Sequence, residues 1–383
     1  MIRQRIRERA ASGRDQALDL LESLVRINSH WGNPDGVNRV GALVLDQIPP
    51  VLKREFTIDG NGVRHHLLTG PDANGKAILL VGHLDTVFPP ESETTPFAVN
   101  DGKIVGPGTA DMKGGIVVLV RALNILNDLG LLEQIPLKCL INGDEEVGSP
   151  FSSEMVRDLA AGASCGLIFE CGGLDNQVVT ARRGVIRFNL EATGQARHAG
   201  VKEGPKASAI AELARMVLAL EGLNDHARGI SVNVGTVHGG EANNIVPDLA
   251  RATFEFRFRD SEAEKEILEK VQYIVGNVTT PGCGATFETL HRRPCMISVP
   301  GSEELVNVLM ETAADLGQSV TAEERGGASD GNFLSEMGVP VIDGLGPVGD
   351  LDHSPLEYIL EESLYERIEL TALLLVRLAG ITD

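Results

Sequence analysis

Short apolar runs alternate with longer helical runs along the first half of the chain. Residues 77–81, 137–141 and 165–170 have the length and composition of buried strands. Residues 114–130 are apolar around much of a helical circumference and end at a glycine, so they predict a buried helix with a C-terminal stop. This alternation predicts an α/β fold with a doubly wound, mostly parallel sheet, in which functional groups collect at the carboxyl ends of the strands.

The pattern changes after residue 183. Residues 185–193 alternate apolar and polar positions, as an antiparallel strand with one exposed face does. Helical runs at 206–223 and 264–278 are separated by further alternating segments. Two helices on a four-stranded antiparallel sheet fit this order and predict an inserted α+β domain. The predicted domains are a discontinuous first domain, residues 1–183 and 293–383, and the inserted domain, residues 184–292.

The composition and the net charge of the chain restrict the kinds of molecule that it can bind. The chain has 383 residues, of which 43% are hydrophobic and 23% are charged, which is the balance of a globular protein. Its net charge of −20 argues against nucleic acids and anionic membranes as partners, since both attract a basic face. The sequence shows no apolar run long enough for a transmembrane helix, and its N-terminal segment lacks the apolar core of a signal peptide. We therefore expect a cytoplasmic protein.

Polar residues follow the first predicted strand in the motif VGHLDTV. His83 and Asp85 are two residues apart, so in extended backbone their side chains point to the same side. One of them can bind a metal while the other hydrogen-bonds behind it. Taken alone, this pair is equally compatible with a structural role.

Two further motifs contain carboxylates that could bind a metal. Asp111 stands in GPGTADMKGG just before the predicted buried helix, where it could cap the helix or, in a tight glycine-rich bend, bind a metal. Glu145 and Glu146 in NGDEEVGS leave a strand in different directions. A metal ligand beside a general base needs that arrangement, although an isolated pair is also typical of solvated loop charges.

The remaining candidates are Glu170, at the tip of an apolar strand, and His353, in a loop near the C-terminus. A carboxylate at the end of an apolar strand is unfavourable without a partner. Together the candidates supply two imidazoles and three carboxylates, a ligand set that suits Zn²⁺ and also Co²⁺ or Mn²⁺. Two divalent ions bridged by one carboxylate would compensate such an acidic cluster. The proposed ligands are His83, Asp111, Glu146, Glu170 and His353.

The motifs, in their order, resemble those of the dizinc aminoacylase and carboxypeptidase family of metallopeptidases. That family includes acetylornithine deacetylase, succinyl-diaminopimelate desuccinylase and tripeptidase T, and the resemblance is strongest to the bacterial glutamate carboxypeptidases. It is carried by GHLDTV, GPGTADMKGG, NGDEEVGS, FEC, RHAG, GGEANNIVP and DHSPLEYI. The resemblance covers nearly the whole chain. It implies a catalytic role for the discontinuous domain and a dimerisation or lid role for the inserted one.

The resemblance also assigns the metal ligands. It implies two Zn²⁺ ions per chain, for which Co²⁺ or Mn²⁺ could substitute, bridged by the carboxylate of Asp111. It pairs His83 with Glu146 at one ion, and Glu170 with His353 at the other.

Three further features of the catalytic domain follow from the resemblance. Asp85 is expected to orient His83, and Glu145 is expected to be the general base. The peptide bond between Asp111 and Met112 is expected to be cis, as it is after the bridging aspartate of the family.

In the inserted domain, the resemblance points to residues that bind substrate. His198, Asn244 and Arg257 are expected to contribute to substrate and oxyanion binding. Arg293 and the loop that contains Gly327 are further candidates for binding the substrate carboxylate. The resemblance also implies a homodimer formed through the inserted domain, in which His198 reaches the active site of the partner.

The expected function is hydrolysis of an amide bond in a small peptide or N-acyl amino acid that bears a free carboxylate, with release of a C-terminal amino acid. An alternative is the deacylation of N-acetyl or N-succinyl amino acids. A further alternative is a non-catalytic metal-binding protein that has the same fold. The joint presence of the proposed base, Glu145, and all five proposed ligands speaks against this last alternative.

Overall fold

The computed structural model describes residues 1–71, 73, 76–201 and 203–382. The chain forms two compact units. The first unit comprises Met1–Ala181, Ser298–Arg325 and Ser329–Asp383. The second comprises Arg182–Ile297 and Gly326–Ala328.

Helices and strands are labelled in chain order through both units. The α-helices are α1 Ile2–Ser12, α2 Arg14–Val25, α3 Pro34–Gln47, α4 Gly114–Asp128, α5 Ser152–Ala160, α6 Ala209–Glu221, α7 Ser261–Gly276, α8 Ser302–Leu316, α9 Gly331–Glu336 and α10 Glu361–Leu378. The strands are β1 Lys53–Ile58, β2 Arg64–Thr69, β3 Ala77–His83, β4 Ala98–Asn100, β5 Lys103–Val105, β6 Leu137–Asn142, β7 Ala163–Ile168, β8 Gln177–Arg182, β9 Gly184–Thr193, β10 Arg197–His198, β11 Ser231–Gly239, β12 Ile245–Val246, β13 Leu249–Phe258, β14 Gly284–Arg293, β15 Thr321–Arg325, β16 Val341–Ile342, β17 Gly349–Asp350 and β18 Tyr358–Leu360.

The first unit is built on a mostly parallel sheet, as the sequence predicts. Its strand order in the described residues is β1-β2-β6-β3-β7-β16. Strands β6, β3, β7 and β16 pair in parallel, while β1 and β2 pair antiparallel at one edge. Every residue of β3 is buried, which is typical of a parallel strand covered on both faces. The carboxyl ends of β3, β6 and β7 therefore lie at one edge of the sheet.

Helix α4 packs closely against the end of β7. A Cβ atom at Gly115 would lie 1.8 Å from the carbonyl oxygen of Phe169, so only glycine allows this approach. The helix buries apolar residues around most of its circumference, as the sequence predicts, because other elements of the unit surround it. Within the residues that the structure describes, no helix combines the length and the apolar composition needed to cross a membrane.

The second unit is an α+β structure on an antiparallel sheet, as the sequence predicts. The strand order is β11-β13-β9-β14, and each neighbouring pair is antiparallel. Helices α6 and α7 begin at the side-chain caps Ser208 and Asp260 and bury their apolar faces against this sheet. Phe188 and Phe254 stack at the centre of this core, with ring centroids 5.0 Å apart.

Candidate metal centre

The sheet edge brings His83, Asp111 and Glu170 together in the first unit. His83 is the last residue of β3, and its Nε2 lies 2.9 Å from Oδ1 of Asp111 and 3.6 Å from Oε1 of Glu170. One ligand atom from each of the three residues lies within 4.8 Å of the other two. This group could hold a metal ion. We call it the His83 side of the centre.

His353 approaches the other oxygen of the same carboxylate. Its Nε2 lies 3.2 Å from Oδ2 of Asp111 and 3.3 Å from Oε2 of Glu146. The neighbouring Asp352 also offers a carboxylate oxygen within 4.8 Å of ligand atoms of Asp111 and His353. We call Glu146, Asp352 and His353 the His353 side. Asp111 therefore stands between two groups of nitrogen and oxygen donors.

The pairing of ligands that the resemblance implies is wrong in this structure. His83 lies beside Glu170, and His353 lies beside Glu146. Strand order alone does not set this pairing, because β3 lies between β6 and β7 and pairs with both. Glu170 lies two residues after the end of β7, whereas Glu146 lies four residues after the end of β6, in the turn Glu145–Val147.

Asp111 lies in an irregular turn before α4. The peptide bond between Asp111 and Met112 is cis, which confirms the prediction from the resemblance. Helix α4 begins at Gly114, and Lys113 occupies its N-cap position, but its side chain makes no capping hydrogen bond to the helix. The alternative interpretation of Asp111 as a helix cap is therefore wrong, because its carboxylate contacts the two histidines instead.

Burial and mutual contact shift the pKa values of His83, Glu146, Glu170 and His353. Burial raises the pKa of Glu146 to about 9 and that of Glu170 to about 8, and the nearby Asp111 carboxylate adds to both shifts. Hydrogen bonds to Asp111 and Glu146 raise the pKa of His353 to about 11. For His83, hydrogen bonds to carboxylates outweigh burial and raise the pKa well above its usual value. The cluster thus requires positive charge, which protons or metal cations can supply.

The residues fit a divalent metal. Oε1 of Glu146 is buried without a hydrogen-bond partner among the described residues, although a buried carboxylate oxygen normally has one. A cation bound between Glu146 and His353 would satisfy this oxygen. The donors are imidazole nitrogens and carboxylate oxygens, which suit Zn²⁺, Co²⁺ and Mn²⁺.

Asp85 connects two of the sequence motifs. Its buried carboxylate lies 3.3 Å from Nδ1 of His83. It also accepts hydrogen bonds from the backbone N–H groups of Glu145 at 3.3 Å and of Glu146 at 2.9 Å. The same side chain therefore contacts the ligand histidine and fixes the backbone of the glutamate pair.

Sequence reasoning missed several residues that hold the ligand loops. Asp330, which is buried, accepts hydrogen bonds from Asn142 and Ser149, and these two residues flank the glutamate pair. Lys113 donates from Nζ to the backbone oxygens at the end of α2, and burial lowers its pKa to about 7. Glu357 accepts hydrogen bonds from backbone N–H groups of the loop that carries Asp111. The sequence marks Lys113 and Glu357 by their position beside ligand motifs, but not by any contact.

In the second unit, the structure brings His198 and Asn244 together. His198 lies on β10, opposite Ile245 of β12. The backbone N–H of Ala199 donates to the oxygen of Asn244 at 2.8 Å. The side chains of His198 and Asn244 are exposed in the chain, and Nδ1 of His198 accepts a hydrogen bond from the N–H of Gly200.

Arg257, Arg293 and Gly327 form another group in the second unit. Arg257 and Arg293 lie on β13 and β14, and both stand opposite Val185 of the intervening strand β9. The carbonyl oxygen of Gly326, the residue before Gly327, accepts a hydrogen bond from Nη1 of Arg257 at 3.0 Å. Arg257 is partly exposed, whereas Arg293 is buried.

Comparisons with known proteins agree with this description. The family model described as Peptidase family M20/M25/M40 matches residues 79–377. Carboxypeptidase G2 from Pseudomonas sp. (strain RS-16) is 27% identical over 371 residues, covering 94% of this chain and 88% of that protein. Succinyl-diaminopimelate desuccinylase from Methylobacterium radiotolerans is 30% identical over 370 residues, covering 88% of this chain and 91% of that protein.

Solved structures show the same fold at lower sequence identity. A tripeptidase from Staphylococcus aureus matches with a TM-score of 0.75 and 22% identity, covering 96% of this chain and 99% of that one. Human carnosine dipeptidase 1 matches with a TM-score of 0.71 and 16% identity, covering 99% of this chain and 100% of that one.

Proposed function

Because this chain belongs to the peptidase family M20/M25/M40, we propose that it hydrolyses an amide bond in a small carboxylate-bearing substrate and releases a C-terminal amino acid. The family and the relatives make the chain a hydrolytic enzyme, a metallopeptidase or amidohydrolase. The observation that carries the proposal is the arrangement around Asp111, where two imidazoles and two further carboxylates converge beside Glu145.

We propose that the centre holds two Zn²⁺ ions, for which Co²⁺ or Mn²⁺ could substitute. Asp111 would contribute to both, with His83 and Glu170 at one ion and Glu146 and His353 at the other. When bound, such ions supply Lewis acidity, which polarises the substrate carbonyl and makes water more acidic.

Glu145 is the proposed general base. It directly precedes the ligand Glu146, and the Asp85 carboxylate holds the backbone N–H groups of both residues. A carboxylate fixed in this way can accept a proton from water and donate it to the leaving amine. The metal ligand and the base are thus supplied by one short turn.

The second unit supplies the proposed substrate contacts. Arg257 and Arg293 provide positive charge in an otherwise acidic chain, and a guanidinium group can bind a carboxylate through two parallel hydrogen bonds. The loop with Gly327 would close this carboxylate site. His198 and Asn244 would stabilise the oxyanion.

We further propose that the protein is a homodimer and that His198 acts in the active site of the partner. Among the residues that the structure describes, β11 lies at the edge of its sheet and has an exposed stretch that includes Val237, and helix α6 exposes Leu218. Uncovered sheet edges and apolar helix residues favour self-association. The alternative is a monomer with an exposed turn histidine.

A complementation experiment tests the role of His198. The variants His198→Ala and Glu145→Ala should each be nearly inactive as homodimers. After subunit exchange, a mixed dimer has one site with an intact Glu145 and an intact His198 from the other chain, so activity should partly return. If mass spectrometry shows exchange and activity stays absent, His198 does not act across the interface.

Turnover on a substrate panel tests the proposed activity. The panel contains dipeptides with varied C-terminal residues, N-acylated glutamate, and N-acetyl and N-succinyl amino acids, each with and without added Zn²⁺. We expect metal-dependent release of a C-terminal amino acid, and Glu145→Gln serves as the inactive control. The absence of metal-dependent hydrolysis across the panel would contradict the proposal.

Deacylation of N-succinyl or N-acetyl amino acids is the second candidate function, because a desuccinylase is among the relatives. The same panel separates the two, since a deacylase would prefer the short acyl groups over peptides. A non-catalytic protein would bind the metal without turnover of any substrate.

A further inference from the structure

Glu357 is a buried carboxylate with an unusual set of partners. Its relative exposure is 1%. Oε2 accepts a hydrogen bond from the N–H of Gly108 at 2.8 Å, and Oε1 accepts from the N–H groups of Ala110 at 2.7 Å and Asp111 at 2.9 Å. Burying a carboxylate is unfavourable unless hydrogen bonds or cations compensate it, and here three backbone donors do so.

The three donors belong to the turn that carries Asp111. On its other side, this turn is held by Lys113, whose Nζ donates to the carbonyl oxygens of Leu24 at 3.1 Å and Ile27 at 2.9 Å. Glu357 therefore fixes the backbone at Asp111 itself, while Lys113 fixes the following residues to the end of α2. The orientation of the Asp111 side chain depends on this backbone.

Glu357 also connects the Asp111 turn to the segment that carries His353. It lies four residues after His353 and directly before β18. Strand β18 pairs with β5, with Tyr358 opposite Val105, and the N–H of Gly106 donates to the backbone oxygen of Glu357 at 3.2 Å. The side chain and the backbone of Glu357 thus connect the turn that carries Asp111 to the segment that carries His353, and these two segments meet at the metal centre.

We propose that Glu357 is a positioning residue of the metal centre, which holds Asp111 where its two carboxylate oxygens face His83 and His353. Glu357 acts through the backbone of Asp111. This inference rests on the proposed metal centre but not on the identity of the substrate. Removing partners that orient metal ligands typically weakens metal binding by about 10- to 100-fold, and we expect an effect of that size.

The test variant is Glu357→Gln, which nearly preserves size. A glutamine has one oxygen, so at least one backbone N–H in the turn must face the side-chain NH₂ group, and that contact is repulsive. The matched control is Glu311→Gln, which removes the same charge from an exposed position on α8. Both variants and the wild-type protein are stripped of metal and titrated with Co²⁺ and with Zn²⁺ against a chromophoric chelator.

For Glu357→Gln we expect at least about tenfold weaker binding and a changed visible absorption spectrum of the Co²⁺-loaded protein, because that spectrum reports the ligand geometry. Glu311→Gln should match the wild-type protein in both measurements. The thermal midpoint in excess chelator is measured in parallel. It reports the stability of the fold without metal.

Two results overturn the inference. The first is wild-type affinity and an unchanged Co²⁺ spectrum in Glu357→Gln. The second is a lowered midpoint in chelator with unchanged affinity and spectrum, which would make Glu357 a residue of the fold alone. If Glu357→Gln does not fold, Glu357→Asp, which keeps the charge but shortens its reach, decides by the same criteria. Failure of the wild-type chain to bind either metal would instead overturn the metal centre itself, together with this inference.

Discussion

The two sides of the metal centre share Asp111 but differ in how the chain builds them. On the His83 side, the histidine ends a fully buried central strand, and its side chain is 1% exposed. On the His353 side, the histidine lies in a loop, its side chain is 54% exposed, and its φ of 60° is in the left-handed region. The ligand chemistry is similar on both sides, so the difference lies in the supporting structure.

This difference has a consequence for metal binding. A ligand at the end of a hydrogen-bonded strand is already in place before the metal arrives, whereas a loop ligand must be ordered. Exposure also gives a metal and solvent access to the His353 side. We therefore expect an ion on the His83 side to be held more tightly and to exchange more slowly than an ion on the His353 side.

The largest expected effect is that of Glu145, whose replacement should lower the catalytic rate without changing metal binding. Replacing Glu145 with glutamine should lower kcat by about 10²- to 10⁴-fold, which is the usual contribution of a general base. Metal content should remain that of the wild-type protein, because Glu145 is not a proposed ligand on either side. Steady-state kinetics and elemental analysis on the same preparation check both expectations. Near wild-type turnover in the metal-loaded variant would remove Glu145 as the base.

Replacing one histidine at a time tests whether the two sides bind their ions with different strength. His83→Ala should weaken binding of the tighter ion strongly. Loss of a residue that only orients a ligand typically weakens binding by about 10- to 100-fold, and loss of the ligand itself should exceed that. His353→Ala should leave that ion bound and reduce the metal content from two ions to one. Isothermal titration with Zn²⁺ measures both. Equal losses in the two variants would show that the sides are not independent.

The raised pKa values of Glu146, Glu170 and His353 predict how the stability of the metal-free protein, measured in excess chelator, depends on pH. In the folded chain, Glu146 and Glu170 hold their protons up to pKa values of about 9 and about 8, whereas their ordinary value is 4.5. Since the folded state then binds more protons than the unfolded state at these two groups, their contribution to stability is fully present below pH 4.5 and is lost as pH rises toward 8 to 9. His353, raised from 6.5 to about 11, contributes in the same direction above pH 6.5.

We therefore expect the thermal midpoint in chelator to fall from about pH 5 to about pH 8.5. Added Zn²⁺ should replace the protons, so the increase in midpoint caused by Zn²⁺ should grow over the same range. Glu146→Gln and Glu170→Gln should each reduce the slope measured in chelator. An unchanged slope in both variants would show that other groups, such as the general excess of negative charge, cause the fall.

Sequence reasoning located the His83 side more completely than the His353 side, for a physical reason. Strand periodicity places His83 and Glu170 at the ends of buried strands, and the structure has His83 as the last residue of β3 and Glu170 two residues beyond the end of β7. The neighbours of His353 are set by a loop, where periodicity carries no information. The pairing of ligands was wrong because β3 pairs with both β6 and β7, so the course of the loops after these strands decides which glutamate faces His83, and periodicity does not predict that course.

The supporting carboxylates could not be predicted at all. Asp330 and Glu357 look in the sequence like ordinary acidic loop residues. Their partners are hydroxyl, amide and backbone N–H groups about 180 and 250 residues away in the chain, and only tertiary structure brings these together. Backbone donors leave no side-chain pattern, so the position of Glu357 in the motif DHSPLEYI did not show which groups it contacts.

The smallest expected effect concerns Asp352, which belongs to the His353 side alone. Its exposed carboxylate lies within 4.8 Å of ligand atoms of Asp111 and His353, so it can add an oxygen donor and negative charge there. An exposed charge interacts weakly because water screens it, and we expect Asp352→Asn to speed release of the weaker ion by only about two- to fivefold. Release is measured by stopped-flow mixing of the Co²⁺-loaded protein with chelator. The slow phase, from the His83 side, should not change. A change in the slow phase would show that the two sides exchange their ions together, and the distinction between a strand-built side and a loop-built side would then not govern metal binding.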